Sequence, residues 1–197
     1  MERGPEQERA LAYLRRKGTE ADRAALRDHV AGTFEDFEAF LHAVPVELRA
    51  RRPEPERWSV QEIVDHLVES HRPAVEQLGE LIAGRRPQGG AIPASLQSED
   101  PFAKSWEQLV GELEAIHRSF VGLLDRATDA DPGNVTAPVV MVVRVTSEAG
   151  EKVATAWEEE LDWKAYTQAF RAHTVEHRHQ ILRTLDALGR APGDPGE

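Results

Sequence analysis

Two histidines four residues apart, His173 and His177, sit in a stretch whose apolar residues recur at helical period. On an α-helix that spacing turns the second side chain by about 40° and carries it one turn along, so both imidazoles can reach one divalent ion. A surface pair, or two rings packed in a core, has the same spacing. Two imidazoles also leave most of an ion's coordination sphere open, so a further donor must come from another helix. His66 is the candidate, beside Leu67 on the border of an apolar stripe and two turns after a helix start at Ser59. A border position suits a pocket at one end of a bundle, and it suits an exposed histidine equally well.

The remaining histidines fit such a site less well. His179 falls on the opposite side of the helix from His177, and His71 is turned about 140° from His66 if their helix is unbroken. His29, His42 and His117 have no companion at ligand spacing. His173-Thr174-Val175-Glu176-His177 also satisfies the H-x-x-E-H pattern of inverted zinc peptidases, but little chain follows His177 to supply a further ligand. Glu176 is either a base flanking the metal face or a solvated helix glutamate.

Four long amphipathic stretches must position these residues. The first is expected over Ala21 to Val44, closed by Pro45. The second starts after Trp58-Ser59-Val60-Gln61-Glu62-Ile63, where Ser59 and Glu62 form a capping box and Trp58 with Ile63 a hydrophobic staple. It runs towards Gly84, with a kink or break near His71 expected from Pro73. Arg85 to Asp100 reads as a loop able to act as a lid, and Ser105 to Thr128 as the third helix. Between Val135 and Trp157 the pattern changes: Val139 to Val145 is β-branched, Glu148-Ala149-Gly150 can turn, and a hairpin is expected. The last helix should span Leu161 to Leu188. A charged helical segment over Glu6 to Lys17 precedes all of these as an appendage. The domain boundaries read from this pattern are an extension over 1–18, one bundle over 19–189, and a disordered acidic tail over 190–197.

The chain has 197 residues, 24 Lys plus Arg against 35 Asp plus Glu, and a formal charge of −11. That field repels phosphate backbones, which excludes nucleic acid as an expected partner. Without a cysteine there is no disulfide, no nucleophilic thiolate and no thiolate-ligated metal. Any metal must be held by histidine and carboxylate. No stretch approaches the roughly 20 apolar residues that span a bilayer, and Met1 is not followed by a basic start and an apolar run, so the expected location is the cytoplasm.

Trp58-Ser59 opening a helix, Glu62-Ile63, His66-Leu67, and Phe170-x-x-His173-x-x-x-His177-x-x-Gln180-Ile181 together resemble the DinB/YfiT-like superfamily of metal-binding bundles. The likeness reaches from about Ala21 to Leu188. The stretch from His66 to His71 is most similar to the YfiT branch, described as candidate metal-dependent hydrolases. The resemblance implies an all-α fold, a four-helix bundle with a right-angled or crossover connection, here with a small β-hairpin before the last helix. It also implies one divalent metal per chain, zinc or nickel, held by His66, His173 and His177, and a homodimer.

A metal with an open position acidifies a bound water or thiol. The family chemistry therefore leads to a thiol transferase acting on an electrophilic small molecule, with the sulfur supplied by a low-molecular-weight thiol co-substrate. A metal-dependent hydrolase is the alternative, and a non-catalytic metal-binding stress-response bundle the third reading. Phe170 and Tyr166, about one and two turns before His173, are expected to wall the pocket, with Gln180 and Ser70 as polar contacts. Core packing explains the two aromatic residues equally well.

Overall fold

Local signals account for where each element begins. The computed structural model describes residues 3–128, 134–146 and 152–189. The chain runs through α1 (Pro5–Leu14), α2 (Arg23–His42), α3 (Val60–Ile82), α4 (Trp106–Arg126), the strands β1 (Ala137–Thr146) and β2 (Lys152–Leu161), and α5 (Trp163–Gly189). Ser59 Oγ accepts from the Glu62 amide while the Glu62 carboxylate accepts from the Ser59 amide, the capping box read from the sequence. Ser105 and Gln108 repeat it at α4. Asp22 caps α2, and Asp162 accepts from the amides of Lys164 and Ala165 at the start of α5.

α2 and α3 each pack on both α4 and α5, so the helices ring in the order α2, α4, α3, α5 and the α2–α3 connection crosses the bundle. One apolar half holds Phe37, Leu41, Ile63, Leu67, Leu109 and Leu113. The other holds Leu26, Phe34, Leu78, Phe120, Tyr166 and Phe170. α3 continues through Pro73 without a break. The ring removes one ladder bond, and packing on two neighbouring helices outweighs that loss.

The leading segment is not an appendage. Leu14 on α1 is 3% exposed within the core, and α1 packs on β1 and α5. After it, a π-helical turn over Arg15–Thr19 brings Gly18 so near α5 that a Cβ there would lie 2.7 Å from the Ala165 Cα. Only glycine permits that approach.

β1 and β2 pair antiparallel, from Ala137 opposite Leu161 to Thr146 opposite Lys152. β2 therefore extends past the expected Trp157, because Glu158, Glu159 and Glu160 complete the ladder opposite Val140, Val139 and Pro138. Arg86 and Arg3 hold Glu160 and Glu159. The expected turn at Glu148-Ala149-Gly150 and the acidic tail from Ala191 lie outside the described residues. Among the described residues no helix is long and apolar enough to cross a membrane.

Candidate metal centre

The capping box at Ser59 fixes the rotation of α3, which aims His66 inward, where it is 1% exposed. Its Nδ1–H donates to the Leu96 carbonyl at 2.7 Å, an oxygen that can only accept, so Nε2 carries the lone pair. On α5, His177 Nδ1–H donates to Gln180 Oε1 at 2.8 Å. His173 Nδ1 is hydrogen-bonded to His71 Nε2 at 3.1 Å. Each of the three histidines thereby has its Nδ1 on an outer partner and turns its Nε2 towards the others.

Those nitrogens converge. His173 Nε2 lies 3.1 Å from His66 Nε2 and 2.9 Å from His177 Nε2, and the donor atoms of the three all fall within 4.8 Å. Lone pairs at such range repel unless a proton or a metal ion is shared, and an ion with nitrogen bonds of about 2.0–2.1 Å needs its donors roughly 3 Å apart. The donor set fits a divalent metal ion. Burial, then neighbouring imidazoles, push His173 far below the ordinary histidine range, and burial lowers His66 as well. Burial and His66 lower His177 to about 3. Neutral imidazole is the form that ligates.

The Arg85 to Asp100 loop is pinned at this end and is no free lid. Besides the Leu96 carbonyl on His66, Asp65 accepts from the Ser98 amide at 3.0 Å and from its hydroxyl at 2.7 Å, and Gln97 donates to the Glu62 carbonyl. The residue before His66 thus fastens the segment that orients the His66 ring.

A cavity of about 720 Å³ opens from the imidazoles along α5. Tyr166 and Phe170 line it as the sequence suggested, but both also belong to the core. Tyr166 donates to Gln77 Oε1 at 2.7 Å, and burial raises its phenol. Ser70 reaches the lining, with its hydroxyl turned back onto the His66 carbonyl at 2.7 Å. Gln180 holds His177 and is not in the lining. Glu176 stands at the mouth, paired with Arg183 at 3.1 Å.

Sequence reasoning missed His71. It is turned away from His66, yet it is fully buried and reaches His173 from the far side. The signal was its place on the core stripe, four residues after Leu67 and seven before Leu78, where a polar ring must find a partner. Beyond it, His117 stacks on Phe34 at 3.8 Å between ring centroids and donates Nδ1–H to Glu38 Oε1 at 2.7 Å. The α1 and β1 walls of the cavity were missed as well, because only the fold brings them to α5.

The sequence profile described as the DinB superfamily matches residues 29–181. No curated protein matches the chain. Among solved structures, it is similar to YfiT from Bacillus subtilis, described as a probable metal-dependent hydrolase with an unusual four-helix bundle topology. That likeness has a TM-score of 0.59 and 12% identity, covering 87% of this chain and 93% of that one. It is also similar to a candidate member of the DinB family from Exiguobacterium sibiricum, at 20% identity, TM-score 0.47, and 89% and 95% coverage of the two chains.

Proposed function

The chain belongs to the DinB superfamily, and from its imidazole triad we propose that it is a divalent-metal-dependent hydrolase of a small molecule. The observation that carries this reading is the convergence of three imidazole Nε2 atoms at the end of a 720 Å³ cavity. A divalent ion there would supply Lewis acidity at an open coordination position, where it lowers the pKa of a small nucleophile.

The chain's own residues do the rest. His66, His173 and His177 hold the ion, and the Leu96 carbonyl, His71 and Gln180 keep their rings turned with Nε2 inward. Phe170 and Tyr166 exclude water from one side of the cavity. Glu176, the one carboxylate among the described lining residues, is the base placed to accept a proton at the mouth.

Transfer of a low-molecular-weight thiol uses the same open position, and a cavity of this size has room for two reactants. We place it second, because no Lys or Arg among the described residues lines the cavity to receive the carboxylates that many such thiols carry.

Elemental mass spectrometry on untagged protein tests the centre. About one zinc or nickel per chain is expected, lost in both His66→Ala and His177→Ala. An ion retained in either variant, or absent from the parent, overturns it. Ester, amide and lactone panels, beside thiol-plus-electrophile panels, then separate the two chemistries against a His173→Ala control. Bound metal without turnover in any panel leaves a non-catalytic metal-binding bundle.

A further inference from the structure

The lining residues on α5 run from Tyr166 to His177, eleven steps of about 1.5 Å and so roughly 16 Å of helix. β1 from Pro138 to Val143 forms a second wall, and Ala10, Tyr13 and Leu14 of α1 close a further side. The cavity is therefore a slot, long in one direction, with all its metal-ligating donors at one end.

The polar atoms along the slot are already engaged. Tyr166 donates to Gln77, Gln77 donates to the Gly90 carbonyl at 3.3 Å, and Ser70 donates to its own helix. The Tyr13 hydroxyl accepts from Gln168 at 2.9 Å and from the Arg171 guanidinium, itself outside the lining, at 3.4 Å. What stays free to touch a ligand is apolar: Ile92, Val139, Met141, Ala169 and Phe170. Among the described lining residues there is no Lys or Arg. Away from the ion that the imidazoles would hold, an anion drawn into this slot would give up its water with nothing in return, inside a protein of net charge −11.

We propose that the slot takes an elongated, uncharged, mainly apolar molecule, a medium-length acyl or aryl chain whose one polar group sits at the imidazole end. The proposal rests on the hydrolase reading only for which end reacts. Length comes from the three turns of α5 between Tyr166 and His177, and neutrality from the lining.

The test is binding, so it is independent of turnover. Full-length protein is chelated, because a carboxylate ligates any bound ion, and Nile red in the slot is displaced by N-methyldecanamide, by decanoate and by N-methylacetamide. The neutral long amide is expected to bind at least about tenfold tighter than either of the others. Met141→Arg, on the hairpin outside the helical core, should reverse the preference towards decanoate. Ala169→Trp should abolish displacement of the dye by the long amide, with the melting temperature showing that the bundle still folds. Decanoate binding as tightly as the amide to the parent protein, or a short amide binding as tightly as the long one, overturns the proposal. So does a folded Ala169→Trp, or failing that a Met141→Arg, that leaves both affinities unchanged. Hydrolysis of esters would survive such a result, and absence of turnover would leave the slot's preference standing.

Discussion

Two groups of histidines meet in the middle of this bundle, and they differ in what happens to their second nitrogen. In the outer group, His66, His173 and His177, every Nδ1 has a hydrogen-bond partner and every Nε2 faces the others. In the inner group, His71 and His117, the rings are deeply buried, 0% and 2% exposed, yet His71 Nδ1 and His117 Nε2 have no hydrogen-bond partner among the described residues. Burial alone therefore does not mark a ligand. A binding site shows itself where the nitrogens that cannot bind are all held from outside, so that those that can bind are forced together.

The inner pair is attached to the outer group by one bond, His173 to His71, and then reaches the surface through His117 and Glu38. The centroids of the two inner rings are 5.5 Å apart. The difference between the groups can be broken or sharpened by experiment. The largest effect is expected at His173, whose Nε2 is close to both other ligands: His173→Ala should remove bound metal altogether, read as metal per chain by elemental mass spectrometry. Retention of about one equivalent would dissolve the outer group as a site.

Acid comes next. Burial depresses the imidazoles of both groups, His177 to about 3 against an ordinary 6.5. Below pH 6.5 the unfolded chain then binds protons that the native state refuses, so this stability is complete above 6.5 and is lost as pH falls towards 3. Each imidazole adds up to about 1.4 kcal/mol per pH unit within its window. The melting temperature of chelated protein should fall between about pH 7 and pH 5, and a flat profile would contradict the buried neutral rings.

Smaller effects separate the groups. His71→Leu removes the hydrogen-bond partner of His173 Nδ1 and should weaken zinc or nickel binding by about 10–100-fold, measured by chelator competition. His117→Phe, which keeps the stack on Phe34 and deletes an unpartnered nitrogen, should change that affinity by less than about threefold. Equal losses in the two variants would mean that the inner pair acts as one unit with the ligands.

Much of this was legible in the residues. The Ser59 and Ser105 caps, the four amphipathic helices, the β-branched run before α5 and the ligand spacing of His173 and His177 are short-range signals, readable within a few positions. Resemblance added His66 to that pair, and the structure brings the three rings together. Other readings failed for physical reasons. The leading segment looked detached because it is strongly charged, but a single apolar stripe with Leu14 and the bare backbone of Gly18 suffice to seat it against α5. The lid reading of the Arg85 to Asp100 loop failed because Asp65 and Gln97 fasten it, bonds that no local pattern encodes.

The sequence by itself determined the bundle helices and the hairpin, the starts of α3 and α4, the thiol-free character of any metal site, and which histidines share a helix. Those properties depend on side-chain chemistry and on the 3.6-residue repeat, both local. Only the tertiary structure decided that His66 meets His173 across 107 positions, that His71 approaches the same ring from the other side, and that α1 and β1 turn a metal face into a slot. Such meetings depend on the order in which four helices ring the core and on how each is rotated, and the packing of the whole chain sets both.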